Sequence, residues 1–278
     1  MMPRLPAHWS HTVLPGSRAR SEIHIHTPAE HAGWKRIAAD IWTGKFQGLE
    51  RIVASPFAEV YHGTLPDPVV PFFFKRFLRR DAWDALKDLL RPSRAARALS
   101  GSLLAATHGF RVPVPLCLIE EYRFGILAAS GLITRTIENV HKVQELINRP
   151  LLNLTPSTSR KRALLKTMGT EVGRWHHVGL YHGDLRTSNL LCRFEGDEPI
   201  LFWIDHERTR TYGKLPFGRR VHNLMQVNME KAGWSRTDRL RVWKAYLDAE
   251  PIPDAERDKL LRAVIAKTRK RWKKRGWL

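Results

Sequence analysis

The sequence predicts an α+β fold of two lobes, in which a small β-rich N-terminal lobe with one inserted helix precedes a larger helical C-terminal lobe. Strand-like runs dominate residues 51–77 and 112–137, and a helical spacing lies between them at 92–109. After residue 138 the pattern is mainly helical. We therefore expect three regions: a poorly structured N-terminal segment over 1–40, the N-lobe over 41–137, and the C-lobe with a basic C-terminal helix over 138–278.

The N-lobe should be a mostly antiparallel sheet. Its first strands flank a tight turn at Ser55–Pro56, and the helix should begin at Pro92–Ser93 and end at Gly109. The strand-like runs are RIVASPFAEVYHGTL, which holds two strands, VVPFFFKRF, VPVPLCLIEE and GILAASGLITRTI. Residues 1–30 are polar, contain prolines and are rich in histidine, so we expect little regular structure there.

The C-lobe should consist mainly of helices. The helix predicted over 160–179 places four apolar residues on one face, namely Leu164, Met168, Val172 and Trp175, and Gly179 is a natural cap. An apolar strand, EPILFWIDHERT, leads to Asp205. Further helical patterns cover 219–231, 236–249 and 254–275.

The chain of 278 residues is strongly basic, with a formal net charge of +20 and a pI of about 10.6. This charge favours a polyanionic partner, such as nucleic acid, an anionic membrane face or a phosphorylated substrate. Cys117 and Cys192 lie in apolar runs, which predicts buried free thiols. We see neither an apolar run of transmembrane length nor the apolar core of a signal peptide, so we expect the chain to stay in the cytoplasm or to lie on a membrane without crossing it.

The stretch YHGDLRTSNLL, residues 181–191, carries the most informative polar groups. The Asp184 carboxylate can take a proton from an attacking hydroxyl. Asn189, five positions later, and Asp205, after the next strand, offer the hard oxygen ligands that Mg²⁺ accepts. Lys75, a lysine among aromatic residues on a predicted strand, can neutralise phosphates. Together these groups are the ones that phosphoryl transfer requires.

The order and spacing of these residues resemble the protein-kinase-like fold. The catalytic-loop pattern appears as His182-Gly183-Asp184…Asn189, the metal-binding element as Asp205-His206-Glu207, and the lysine strand as FFFKRF. FWIDHERTRTYGKLPFGRRVHNLMQVN, GFRVPVPL and the basic composition further resemble the bacterial lipopolysaccharide core kinases, the Kdo kinase/WaaP-like family. The resemblance covers roughly residues 45–250.

The resemblance implies an ATP- and Mg²⁺-dependent kinase acting on a hydroxyl of a lipid A–core sugar, Kdo or heptose. It assigns Asp184 as catalytic base, Asn189 and Asp205 as metal ligands, and Lys75 as the lysine of the α- and β-phosphates. His182 becomes a scaffold residue of the loop. For Arg186 we expect stabilisation of the transferring charge. The partners implied are an anionic glycolipid acceptor and the anionic cytoplasmic face of the inner membrane, with no nucleic acid.

The chain departs from the kinase pattern in three places. The turn near Ser55 has no Gly-rich loop, and the inserted helix has no Glu to pair with Lys75, since residues 82–119 contain none. Gly183 replaces an Arg that binds activation-loop phosphate in many kinases, which argues against that kind of switching. Two alternatives therefore stay open: a small-molecule kinase of the aminoglycoside phosphotransferase-like type, and a catalytically silent kinase-like binding module.

The C-terminal helix also predicts peripheral membrane binding. It combines apolar residues, namely Leu260, Leu261, Val264 and Ile265, with the dense basic tail KTRKRWKKRGWL. Such a helix can lie on an anionic bilayer, although a basic run is by default a solvated face. The sequence leaves the oligomeric state open.

Overall fold

The computed structural model describes residues 9–15, 20–26, 34–55, 57–66, 69–78, 91–148 and 157–277. The chain divides into two compact units. The first comprises Met1–Leu104 and Pro113–Ile137, and the second comprises Ala105–Val112 and Glu138–Leu278. The boundaries 1–40, 41–137 and 138–278 stay a prediction.

Seven described strands form one antiparallel sheet in the first unit. They are β1 (Trp9–Pro15), β2 (Arg20–His26), β3 (Glu50–Ser55), β4 (Ala58–Pro66), β5 (Val69–Phe77), β6 (Pro115–Arg123) and β7 (Ile126–Arg135). Their order in the sheet is β1-β2-β6-β7-β5-β4-β3, and every pair is antiparallel. The predicted antiparallel sheet is therefore confirmed, although Pro56 of the predicted turn lies outside the described residues.

The expectation of little regular structure over residues 1–30 is wrong for β1 and β2. These strands form a hairpin whose second strand pairs with β6, from Arg20 opposite Tyr122 to Ile25 opposite Cys117. The alternation in SEIHIH is typical of a strand, but its partner lies far along the chain. Local composition therefore hid a strand that non-local hydrogen bonds hold in place.

Two helices cover opposite faces of this sheet, α1 (Trp34–Trp42) and α2 (Arg94–Thr107). On β5, Phe72 and Phe74 belong to the buried cluster that includes Ile41 of α1. Phe77 belongs instead to the cluster that includes Leu99 of α2. This alternation follows from the pleat of a strand, where successive side chains point to opposite faces. The predicted helix is confirmed as α2, and α1 is an addition.

The second unit contains five described helices and two small sheets. The helices are α3 (Val143–Asn148), α4 (Thr158–His177), α5 (Phe217–Val227), α6 (Arg236–Ala249) and α7 (Asp254–Lys274). The strands are β8 (His141–Lys142), β9 (Leu180–Tyr181), β10 (Leu190–Glu195), β11 (Glu198–Trp203) and β12 (Arg210–Thr211). They pair in the orders β11-β10-β8 and β12-β9. The predicted fold class is confirmed, since a sheet-rich N-terminal part precedes a mainly helical one.

Aromatic packing and close helix contact build the core of the second unit. Trp175 of α4 stacks on Trp203 of β11 with ring centroids 4.3 Å apart, and Phe110 meets both rings edge-on. Helix α4 contacts α6 at Gly169 and Gly173. A Cβ added to Gly169 would lie 2.4 Å from the Val242 carbonyl oxygen. Small residues thus let the two backbones approach closely. No helix in the described part of the chain has a run long and apolar enough to span a membrane.

Candidate active site

The residues of YHGDLRTSNLL lie between β9 and β10, with a 3-10 turn at Thr187–Asn189. His182 is fully buried; its backbone N–H donates to Oδ1 of Asn223 at 3.3 Å, and its Nε2 lies 3.0 Å from the carbonyl oxygen of Ile204. Because a carbonyl oxygen can only accept, Nε2 carries the proton. Burial lowers the pKa of His182, so the ring is neutral. This geometry suits a scaffold role that ties the loop to the end of β11.

The Asp184 carboxylate accepts hydrogen bonds from three side chains. Arg186 donates through Nε to Oδ1 at 2.7 Å and through Nη2 to Oδ2 at 3.0 Å. Gln226 donates to Oδ1 at 3.3 Å, and Asn189 donates to Oδ2 at 3.4 Å. The Asp184 side chain retains 21% exposure and the Arg186 side chain 57%. The carboxylate is therefore held in a defined orientation while remaining accessible from outside.

Asn189 and Asp205 lie at the same end of the β10–β11 hairpin. Leu190 pairs with Trp203 in the hairpin, and the next residue, Ile204, donates its N–H to the Asn189 carbonyl at 3.1 Å. The Asn189 Nδ2 donates to the backbone oxygen of Asp184 at 2.8 Å. With the nitrogen used in this way, the end of the carboxamide that remains for a cation is its oxygen.

Asp205 occupies a left-handed backbone conformation, with φ 66° and ψ 55°. It precedes a 3-10 turn at His206–Arg208, and His206 is buried beneath it with Nε2 3.1 Å from the Trp203 carbonyl oxygen and Nδ1 3.1 Å from Oγ1 of Thr209. Burial lowers the pKa of His206 to about 3, so this ring is neutral at physiological pH. Such strained backbone conformations persist when the surroundings determine them, and they cluster at functional sites.

The oxygen donors at this hairpin end suit Mg²⁺ better than a metal that needs a full protein cage. Among the described residues there is no group of three or more His, Cys, Asp and Glu side chains that could hold a metal ion. Mg²⁺ is usually bound by one or two protein oxygens together with phosphate oxygens. Asn189 and Asp205 are the two residues to which the sequence analysis assigned this role.

Lys75 lies in the first unit, on the middle of β5. It pairs with Val60 on β4 and with Leu132 on β7, and its Nζ lies 5.1 Å from the centroid of the Phe77 ring. Strand alternation puts it on the sheet face that α2 covers. Glu120 of β6, which is 1% exposed, lies on this same face of the sheet. Leu118 and Lys75 are both opposite Leu132 on β7, and Glu120 is two residues after Leu118 on β6. The structure thus gathers the other five predicted site residues in the second unit and describes Lys75 within the first.

Two residues of α5 hold the loop and were missed as site residues by sequence reasoning. Gln226 accepts from the Leu185 N–H at 3.0 Å and donates to the Gly183 carbonyl oxygen at 3.3 Å, in addition to its bond to Asp184. Asn223, fully buried, donates to Oε1 of Gln226 at 3.1 Å. The available signal was an Asn and a Gln three positions apart, each next to apolar residues of the run NLMQV, a spacing that places both on one face of a helix.

The structure also explains why position 183 is a glycine. Gly183 has φ 76°, and a Cβ there would lie 2.5 Å from the Cβ of Arg208 and 2.8 Å from its carbonyl oxygen. A larger side chain would have to displace the backbone of the turn that follows Asp205. The glycine therefore allows the loop that carries Asp184 and this turn to lie in direct contact.

We expect Gly183→Ala to destabilise the protein and to lower its activity. A positive φ costs a residue with a Cβ about 1–2 kcal/mol, and overpacking against Arg208 should add about 1–3 kcal/mol. Gly196 is a matched control, because it has φ 61° with nothing within 4 Å of an added Cβ. Urea unfolding of both variants measures the difference. Equal losses of unfolding free energy in Gly183→Ala and Gly196→Ala would contradict the predicted effect of the contact with Arg208.

Comparison with known proteins supports a kinase fold. The chain is 24% identical over 243 residues to the KEOPS complex subunit Bud32 of Pyrococcus abyssi (strain GE5 / Orsay), a match that covers 84% of this chain and 97% of the relative. It also matches a solved structure of WaaP in complex with acyl carrier protein, with a TM-score of 0.61 and 18% identity, over 86% of this chain and 96% of that one. At this identity the structural likeness shows the fold.

A more specific match comes from the family description "Lipopolysaccharide kinase (Kdo/WaaP) family", which covers residues 78–246. This range is more than half of the chain and contains the loop that carries Asp184, Asp205 and the α5 residues that hold the loop. It lies within the region where the motifs had suggested the resemblance. The chain therefore belongs to the lipopolysaccharide kinase (Kdo/WaaP) family and is a phosphotransferase.

Proposed function

We propose that the protein transfers the γ-phosphate of ATP to a hydroxyl of a sugar, Kdo or heptose, in the lipid A–core region of lipopolysaccharide. The observation that carries this proposal is the oriented Asp184 carboxylate beside Asn189 in a chain of the Kdo/WaaP family. Family membership argues against the two alternatives, a small-molecule kinase and a catalytically silent module.

In the proposed reaction an oxygen–phosphorus bond forms at the sugar hydroxyl, the bond between the γ-phosphorus and the bridging oxygen breaks, and ADP leaves. Asp184 orients the hydroxyl and receives its proton. Mg²⁺, when bound, neutralises phosphate charge, and Asn189 and Asp205 are the residues that would hold it. We assign Lys75 to the α- and β-phosphates, and His182 to holding the loop in place.

Arg186 has two possible partners in this scheme. In the structure its guanidinium binds both oxygens of Asp184. A γ-phosphate near Asp184 would offer oxygens of the same bidentate geometry, which guanidinium groups favour. We propose that Arg186 exchanges Asp184 for the phosphate as the reaction proceeds, so that Asp184 becomes available to the hydroxyl.

We place the protein in the cytoplasm, peripheral to the inner membrane. ATP is supplied on that side, and an anionic glycolipid acceptor suits a chain with a formal net charge of +20. Two apolar residues of α7, Leu260 and Val264, are packed inside the protein, with 1% and 6% exposure, and so cannot contact a bilayer. Any membrane attraction must therefore come mainly from the charge.

Two measurements test the proposed function. Purified protein, with Mg²⁺ and ATP labelled on the γ-phosphate, should label Kdo-containing lipid A and heptose-containing core material to different extents, which identifies the sugar. Mass spectrometry of lipopolysaccharide from a strain lacking the gene should show the loss of one phosphate. Unchanged lipopolysaccharide, together with efficient labelling of aminoglycosides or amino alcohols, would instead establish the small-molecule alternative.

A further inference from the structure

A groove in the second unit opens beside the catalytic loop. Its volume is about 710 Å³. Its lining includes Asp184 and Arg186 of the loop, Gln226 of α5 and basic residues from the last two turns of α7. We call this space the α5–α7 groove. An acceptor bound in it would reach Asp184 directly.

The α7 side of the groove is strongly cationic. Five basic residues recur at helical spacing along it, namely Lys267, Lys270, Arg271, Lys274 and Arg275. Within residues 157–277, all of which the structure describes, no carboxylate forms an ion pair with any of the five. The described lining has two carboxylates, and both are engaged: Asp184 by Arg186, and Glu230 by the Thr187 hydroxyl at 2.8 Å.

This positive charge helps to lower the pKa of a half-buried histidine in the groove lining, His222. The pKa of His222 is lowered, first by burial and then by Lys267 and Arg219, with Asp184 acting in the opposite direction. Since its environment disfavours the protonated ring, His222 adds no further charge. The field in the groove is therefore set by the α7 cations together with Arg186 and Arg208, which outnumber the carboxylates of Asp184 and Glu230.

Helix α7 is fixed in place and does not form a loose basic tail. Thr268, 1% exposed, accepts from Nδ2 of Asn228 at 3.1 Å, and the Trp272 Nε1 donates to the Met229 carbonyl oxygen at 3.0 Å. Leu260 and Val264 are buried on the same face. The basic residues of the groove thus stand on a packed helix, which makes them a preorganised site for anions.

We propose that the α5–α7 groove binds the acceptor through at least two of its anionic groups, phosphates or carboxylates that flank the hydroxyl to be phosphorylated. This inference rests on the proposed function, because Asp184 marks where the hydroxyl must lie. Like charges that are close together, and that have no counter-ion among the carboxylates of residues 157–277, attract a multivalent anion strongly. The cations would also offset the repulsion between such an acceptor and the Asp184 carboxylate.

Two double variants of α7 separate the groove from the general charge of the protein. Lys270→Gln with Lys274→Gln removes two charges from the groove side. Arg269→Gln with Lys273→Gln removes two charges at the same four-residue spacing from exposed positions outside the groove lining. Both variants have the same net charge, and both sites are exposed, so neither should disturb folding. Circular dichroism and thermal melting check this.

The probe is deacylated lipid A–core oligosaccharide with its phosphates intact, which dissolves in water and needs no membrane. Its dissociation constant is measured by calorimetry without ATP, with dephosphorylated oligosaccharide as a second probe. We expect the Lys270/Lys274 variant to bind the intact probe about tenfold more weakly than wild type. The Arg269/Lys273 variant should change binding less than twofold. Weaker binding of the dephosphorylated probe than of the intact probe to the wild type would identify phosphates as the recognised groups, and equal binding of the two probes would identify carboxylates.

Equal weakening in both variants would overturn the proposal, because binding would then follow net charge. Unchanged binding in the Lys270/Lys274 variant would also overturn it, as would tighter binding of an RNA duplex than of the oligosaccharide. Because binding is measured without ATP, the groove hypothesis and the proposed kinase function can each be contradicted without the other. Groove-dependent binding without phosphate transfer would contradict the proposed function alone, whereas transfer that is insensitive to both variants would contradict the groove alone.

Discussion

Asp184→Asn is expected to lower the rate of phosphate transfer by about 10²–10⁴-fold, the usual effect of losing a general base. The amide preserves the shape of the side chain but can neither accept the proton nor attract the hydroxyl with a full charge. Arg186 also loses a charged partner, which leaves it free for phosphate. Binding of Mg·ATP should change little, since we do not assign Asp184 to the nucleotide. Single-turnover transfer rates and separate nucleotide titrations provide the measurement.

Asp197→Asn is the matched control for this variant. Asp197, like Asp184, is a carboxylate held by an arginine, with Nε of Arg160 2.6 Å from its Oδ1. It lies in the turn of the β10–β11 hairpin, at the opposite end from Asn189 and Asp205. The control should transfer phosphate at the wild-type rate. If Asp184→Asn did so as well, YHGDLRTSNLL would be a structural turn, and its assignment as the catalytic loop would be wrong.

Asp205→Asn is expected to lower both turnover and apparent Mg²⁺ affinity, with part of the turnover restored at high Mg²⁺. The change replaces a charged oxygen ligand by a neutral, weaker one. Asn tolerates the left-handed conformation of this residue better than most side chains do, so the backbone strain should stay nearly constant. The measurement is the transfer rate as a function of Mg²⁺ concentration, with thermal melting as a check on folding.

Asn189→Ala should resemble Asp205→Asn in a milder form, since it removes a neutral ligand. It also removes the hydrogen bond from Nδ2 to the Asp184 backbone, so some of its effect should persist at saturating Mg²⁺. The two aspartates are distinguished by rescue. If high Mg²⁺ restored Asp184→Asn but left Asp205→Asn unchanged, their assigned roles would have to be exchanged.

Local patterns predicted the elements that bury a regular face. The run VVPFFFKRF was predicted as a strand over 69–77 and forms β5 over Val69–Phe77, with Phe72 and Phe74 buried on one face. The helix predicted over 236–249 is α6, which begins after a capping box formed by Ser235 and Asp238. In such elements apolar periodicity and the capping residues lie within a few positions of each other, so a short window of sequence contains the whole signal.

The sequence by itself determined the α+β class, the kinase family and the chemical identities of the candidate site residues. These depend on residue type and spacing, as with Asp184 and Asn189 in one loop, and covalent connectivity preserves spacing whatever the packing. The tertiary structure decided that β2 pairs with β6, that Gln226 holds Asp184, and that Lys270 and Lys274 line a groove beside the loop that carries Asp184. Each of these depends on segments that are distant along the chain, and their contacts exist only once the non-local packing of the fold has formed.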